Sequence, residues 1–155
     1  MFNENQLTAS ADGFEGYFPT DYALPPRRHW VNEGRGGSAR PIMIRIYNVE
    51  ADLPTLDQAR RLVIEEIRRA KRDRVRVLKI IHGYGSSGTG GRLAVGLRKS
   101  FALRKKEGAI LDAIPGEDFS IFQPRTMALL EAVPKLKGDP DLNQVNEGIT
   151  IVWLK

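Results

Sequence analysis

The stretch Val75-Arg76-Val77-Leu78-Lys79-Ile80-Ile81-His82-Gly83-Tyr84-Gly85-Ser86-Ser87-Gly88-Thr89-Gly90-Gly91-Arg92 begins as a β-branched run and ends as a glycine loop. Val75, Val77, Lys79 and Ile81 alternate with Arg76, Leu78 and Ile80. Apolar residues fall in both sets, which predicts an interior strand covered on both faces. Beyond the loop, Leu93, Leu97 and Phe101 share one helical face, and Gly108 supplies the stop. A strand that feeds a helix through glycines is the core of an α/β unit, so the flanking segments are read for its partners.

Upstream, Ile42, Ile44 and Ile46 alternate with Met43, Arg45 and Tyr47, the pattern of a strand with a buried isoleucine face. Thr55 followed by Gln58 makes a capping box. Leu56, Ala59, Val63, Ile67 and Ala70 then recur at helical spacing, which predicts a helix over 56–71. Downstream, residues 109–114 read as a third strand ended by Pro115-Gly116, and Phe119, Ile121 and Phe122 as a short extended segment. Pro124 opens a short helix with Met127, Leu130 and Val133 inward, Pro134 breaks it, and residues 149–154 form the last strand. The order of elements predicts a two-layer α/β sandwich: a mainly parallel mixed sheet of about four strands with helices packed on it.

Residues 1–40 carry Gly13, Gly16, Pro19, Pro25, Pro26, Gly34, Gly36 and Gly37 without a sustained period, so they read as an irregular N-terminal extension to a domain over 41–155. Six of the twelve aromatics nevertheless lie there, more than a pure linker needs, which suits docking on the domain or on a partner. No apolar run reaches transmembrane length. Residues 1–12 carry Asn, Glu and Gln where a signal peptide needs basic residues and then an apolar block, so a cytoplasmic protein is expected. The 155 residues contain no cysteine and two histidines, His29 and His82, which excludes disulfides and thiolate chemistry and leaves little for a histidine-based metal site.

The net charge of +5 is unevenly spread. Residues 58–106 hold 15 Lys or Arg against the acids Glu65, Glu66 and Asp73, so this segment carries +12 and the remainder −7. Such a block is either a solvated helix face or a field for polyanions, and phosphates become the leading partner class. Five glycines within residues 83–91 let backbone N–H groups approach an anion, and Arg92 in the first helical turn adds a charged contact. Gly83, Gly85 and Gly88 also satisfy G-x-G-x-x-G, with Asp112 at a tolerable distance for a ribose, which keeps nucleotide binding as a remote alternative. A Walker A loop is excluded because Gly91 stands where its lysine belongs.

Ile80-Ile81-His82-Gly83-Tyr84-Gly85, then Thr89-Gly90 and Arg92-Leu93 opening a helix, with Gly148-Ile149-Thr150-Ile151-Val152 at the end, resemble the small MutS-related (Smr) domain over roughly residues 42–154. The resemblance implies a fold similar to the C-terminal domain of a translation initiation factor. It also implies DNA or RNA binding, often with endonuclease activity, directed in some members at branched DNA or at messenger RNA on stalled ribosomes. The family's nucleases usually carry L-D-L-H-G on the first strand, whereas this chain has Ile44-Arg45-Ile46-Tyr47-Asn48. Ser86, Ser87 and Gly88 look like an insertion, and residues 119–146 enlarge the end of the domain.

Two functions are therefore carried forward. In the first, the chain binds DNA or RNA through Arg45, Tyr47, Gly83, Tyr84, Gly85, Thr89, Gly90, Arg92, Arg98 and Lys99, with weak or absent cleavage and no cofactor. In the second, it is an endonuclease with His82 as general acid or base, Arg92 steadying the phosphate, and Glu50 or Asp52 orienting the histidine or holding a divalent metal.

Overall fold

The computed structural model describes residues 43–52, 54–84 and 91–155. The expectation for the extension 1–40, and those for Ile42, Gly85, Thr89 and Gly90, lie outside the described residues. Strand β1 (Ile44–Asn48) leads to helix α1 (Leu56–Arg72) and strand β2 (Val77–Ile81). Helix α2 (Arg92–Lys106), strand β3 (Asp112–Pro115), helix α3 (Pro124–Ala132) and strand β4 (Ile149–Trp153) follow. The sheet order is β1-β2-β4-β3.

The expected α/β architecture is present, with a four-stranded mixed sheet and helices packed on it. β1 and β2 pair in parallel, and β4 runs antiparallel to both β2 and β3. Three strands thus share one direction, while the last strand is inserted between two of them against that direction. β2 is interior, as its two apolar sets require, and four of its five residues are buried.

The α1 end is specified locally. Thr55 accepts from the Gln58 N–H while the Gln58 side chain accepts from the Thr55 N–H at 2.8 Å, completing the expected box. Thr55→Ala is expected to cost about 1 kcal/mol of stability in thermal or urea unfolding. α1 and α2 bury Ala59, Val63, Ile67, Leu97 and Phe101 against Leu78, Ile80 and Val152 of the sheet. Gly108, at φ 72°, turns the chain out of α2 where a side chain would be strained.

The opposite sheet face, with Val77, Ile114, Ile149 and Ile151, is covered by Leu129 and Leu130 of α3, Val133, Leu136 and Phe119. This adds a third layer to the two expected. Residues 116–118 form a 3-10 turn and Phe119 is fully buried, while Ile121 and Phe122 are exposed in a turn, so the expected extended segment is absent. In α3, Leu130 faces inward as expected, and Val133 just beyond it is buried too, but Met127 is exposed and Thr126 and Leu129 take the inward face. The Thr126 hydroxyl donates to the Asp118 carbonyl at 2.8 Å, which fixes that rotation.

β1 departs most from expectation. Its isoleucines are only half-buried, and its buried residue is Arg45. The guanidinium reaches back under α1 to Glu66 at 3.3 Å and to Asp73, at the end of α1, at 2.6 Å. Burial raises the Glu66 pKa, and the charge of Arg45 opposes that shift.

Candidate nucleic-acid interface

The register fixes two poles. Asn48, Ile81 and Ile149 stand level at the glycine-loop pole, and Ile44, Val77, Trp153 and Asp112 at the other. Because β1 and β2 are parallel, α1 returns the chain to the second pole, and α2 runs back the same way toward β3. The basic last turns of both helices, Arg69, Lys71 and Arg72 and then Arg104, Lys105 and Lys106, therefore end at the pole away from the loop. Lys71 there donates to the Ala109 carbonyl at 2.9 Å.

At the loop pole, His82 is 1% exposed. Nδ1 lies 3.1 Å from the Gly83 carbonyl and Nε2 lies 3.0 Å from the Thr150 hydroxyl. A carbonyl can only accept, so Nδ1 carries the proton. Burial lowers the pKa, opposed by the Gly83 hydrogen bond, which favours the neutral ring with Thr150 donating to Nε2. Both nitrogens are spent inside the protein. His82, the candidate acid or base of the nuclease reading, ties the end of β2 to β4 in this structure.

The amides of the loop base are also occupied. The His82 and Gly83 N–H groups both donate to the Gly148 carbonyl at 3.0 Å, and the Gly91 N–H donates to the Tyr84 carbonyl at 2.8 Å. Gly83 is required where it stands: φ is 68°, and a Cβ would lie 2.1 Å from the Glu50 carboxyl carbon. Glu50 thus lies over Gly83, close to the position expected for it. Tyr84 is half-exposed, and its hydroxyl donates to Asn146 at 2.7 Å.

Asn146 continues inward. It donates to Asp141 at 2.8 Å, and Asp141 pairs with Lys79, which also donates to Asp139 at 2.7 Å. Lys79 is 4% exposed in the middle of β2. Burial acts to raise the Asp141 pKa, but the hydrogen bonds from Lys79 and Asn146 prevail and lower it. The segment between α3 and β4 is thereby fastened to the base of the glycine loop.

The other predicted contacts divide. Arg45 is buried under α1 and is not presented to a phosphate, and Tyr47 packs partly buried against the same core. The cause is α1 itself, which lies over the strand face they share. Arg98 pairs with Glu117 at 2.5 Å. Asp112 stands at the pole away from the loop, where Lys105 and Arg125 hold it at 2.8 and 2.7 Å, so it is not placed as the ribose acid of a nucleotide site. Burial would raise its pKa, but hydrogen bonds from Arg125, Lys105 and the Ala113 N–H hold it at about 2. This stabilisation is present above pH ~4 and is lost as pH falls toward 2. Asp112→Asn is expected to flatten that acid limb of the stability profile by about 2 kcal/mol in pH-dependent unfolding.

What remains is a track along α2. This helix has six cations and no acid. Arg98, Arg104 and Lys105 are paired with Glu117, Glu107 and Asp112. Arg92, Lys99 and Lys106 are exposed and make no ion pair among the described residues. Spaced by seven, they stay on one stripe roughly 10 Å apart. Val95 and Leu103, each about half-exposed, lie on the same stripe. Lys106, Val95 and Leu103 were not among the expected contacts, although the heptad spacing of Arg92, Lys99 and Lys106 is visible in the sequence. Exposed Arg74 and Arg76 extend the positive charge at the far pole.

Among the described residues, no group of three His, Asp or Glu side chains is placed to hold a metal ion, and no helix is long and apolar enough to cross a membrane. The chain matches no family model, no curated protein and no solved structure.

Proposed function

We propose that this protein is a DNA- or RNA-binding module of Smr type that works in the cytoplasm and holds the phosphate backbone along α2. The observation that carries the reading is the α2 stripe, where three exposed cations stand in register on a helix without a single acid. Long-range attraction to phosphates needs such unpaired charge, because a cation already matched to a carboxylate releases no counterion on binding. The basic end of α1 and the glycine loop both belong to the +12 segment over residues 58–106. The two lie at opposite poles, and α2 connects them, so a strand would run along the helix from Arg92 to Lys106 and onto Arg74 and Arg76. Val95 and Leu103 would meet sugars or bases between the phosphates.

Titrating labelled single strands and duplexes of DNA and RNA tests this. About five phosphate contacts predict a log–log salt slope on the order of −4. The combined change of Arg92, Lys99 and Lys106 to Ala should weaken binding roughly tenfold or more and shallow that slope, with the melting temperature unchanged because all three side chains are exposed. Salt-independent affinity, or full affinity in the triple variant, would remove the electrostatic account.

A further inference from the structure

We propose that residues 1–22 of this chain dock on the outer stripe of α2 and compete there with nucleic acid. The inference rests on the reading of α2 as the nucleic-acid track.

The stripe has an unusual composition for a surface that meets phosphates alone. Arg92, Lys99 and Lys106 alternate along it with Val95, 52% exposed, and Leu103, 50% exposed. It therefore fits a ligand that is both anionic and apolar. Residues 1–22 have that chemistry: Glu4, Asp12, Glu15 and Asp21, with no Lys, Arg or His, together with Phe2, Phe14, Tyr17, Phe18 and Tyr22. The charge then reverses within the same chain. Residues 23–42 hold Arg27, Arg28, Arg35 and Arg40 against Glu33 alone, so this stretch is repelled by the stripe and serves as tether.

The geometry permits the contact. The described chain begins at Met43, just before β1, at the pole where α2 ends with Lys106. Three strand spacings separate the two edges of the sheet, about 14 Å, whereas a twenty-residue tether reaches as far as about 65 Å. Tethering makes docking intramolecular, with an effective concentration on the order of millimolar, so even weak affinity suffices to occupy the stripe. A negatively charged, aromatic segment offers carboxylates to the cations and rings to Val95 and Leu103. A polyanion arriving with more charge displaces it.

Two measurements on the full chain decide the matter. In the first, a labelled synthetic peptide of residues 1–22 is titrated with a chain whose own segment is neutralised by Glu4→Gln, Asp12→Asn, Glu15→Gln and Asp21→Asn. Saturable, salt-sensitive binding is expected, weakened about tenfold or more when Lys99→Glu and Lys106→Glu are added. No binding, or binding indifferent to these reversals, would overturn the proposal whatever the nucleic-acid result. In the second, the neutralised chain and a charge-preserving variant, Phe14→Ser with Phe18→Ser, are titrated with labelled RNA and DNA. Both should bind several-fold more tightly than the native chain, by relief of an intramolecular competitor. A gain confined to the neutralised chain would reduce the effect to net charge and reject docking. If no chain binds nucleic acid while the peptide still docks, the functional reading fails and the docking surface stands.

Discussion

Replacing Lys79 by alanine is expected to remove about 3–5 kcal/mol of folding stability, because it leaves two largely covered carboxylates side by side without their cation. The Asp139 side chain is 10% exposed and that of Asp141 24%, so solvent replaces little of what the ammonium supplies. Asp139 also accepts the Asp141 N–H at 2.9 Å, which fixes both acids on the turn that follows α3. Removing the charges together should cost much less: Lys79→Met with Asp139→Asn and Asp141→Asn keeps volume and deletes the desolvation problem. Urea unfolding of the single and triple variants makes the comparison. A loss below about 1 kcal/mol for Lys79→Ala would mean that the pair behaves like a surface ion pair. The consequence extends to the loop pole, since Asp141 holds Asn146 and Asn146 holds the Tyr84 hydroxyl.

That network illustrates which parts of this protein can be read from its sequence. Helix α1 was legible because its cap, its stripe and its length agree, and β2 because a strand apolar on both sides has one place to go. The partners of Lys79 lie 60 residues away on a turn whose position depends on the third layer. α3 is nine residues long, less than three turns, so Met127 and Leu129 compete for the inward face and only tertiary contact decides. For Arg45 a signal existed on both sides: a base within an apolar strand, and Glu66 one residue from Ile67 on the apolar stripe of α1. Read together, the two mismatches describe a buried pair rather than a phosphate contact. In the candidate interface, Arg92 and Lys99 were legible as cations on an acid-free helix. The pairing of Arg98 was not, since Glu117 reaches it only after the chain has crossed the sheet through β3.

His82→Ala is expected to cost about 3 kcal/mol, from the volume lost in a closed site and from a Thr150 hydroxyl and Gly83 carbonyl left without their partner. Thr150 is 1% exposed, so water does not readily replace the ring. The pH dependence separates this role from a catalytic one. Burial lowers the folded-state pKa below the ordinary value of 6.5, so the unfolded chain binds a proton more readily than the native one. Native stability is therefore fully present above pH 6.5 and declines as pH falls through that value toward the lowered folded pKa. His82→Gln, which keeps donor and acceptor atoms near both partners without titrating, should remove that limb while retaining more stability than His82→Ala. Arg98 and Glu117 lie close enough to bias the ring in opposite senses, so Glu117→Gln should lower its pKa further and steepen the decline. A histidine that instead served as a surface acid or base would leave the unfolding profile nearly unchanged on substitution. It would place its pKa in the pH–rate curve of any cleavage, and that curve would persist with His82→Ala only if the chemistry lay elsewhere.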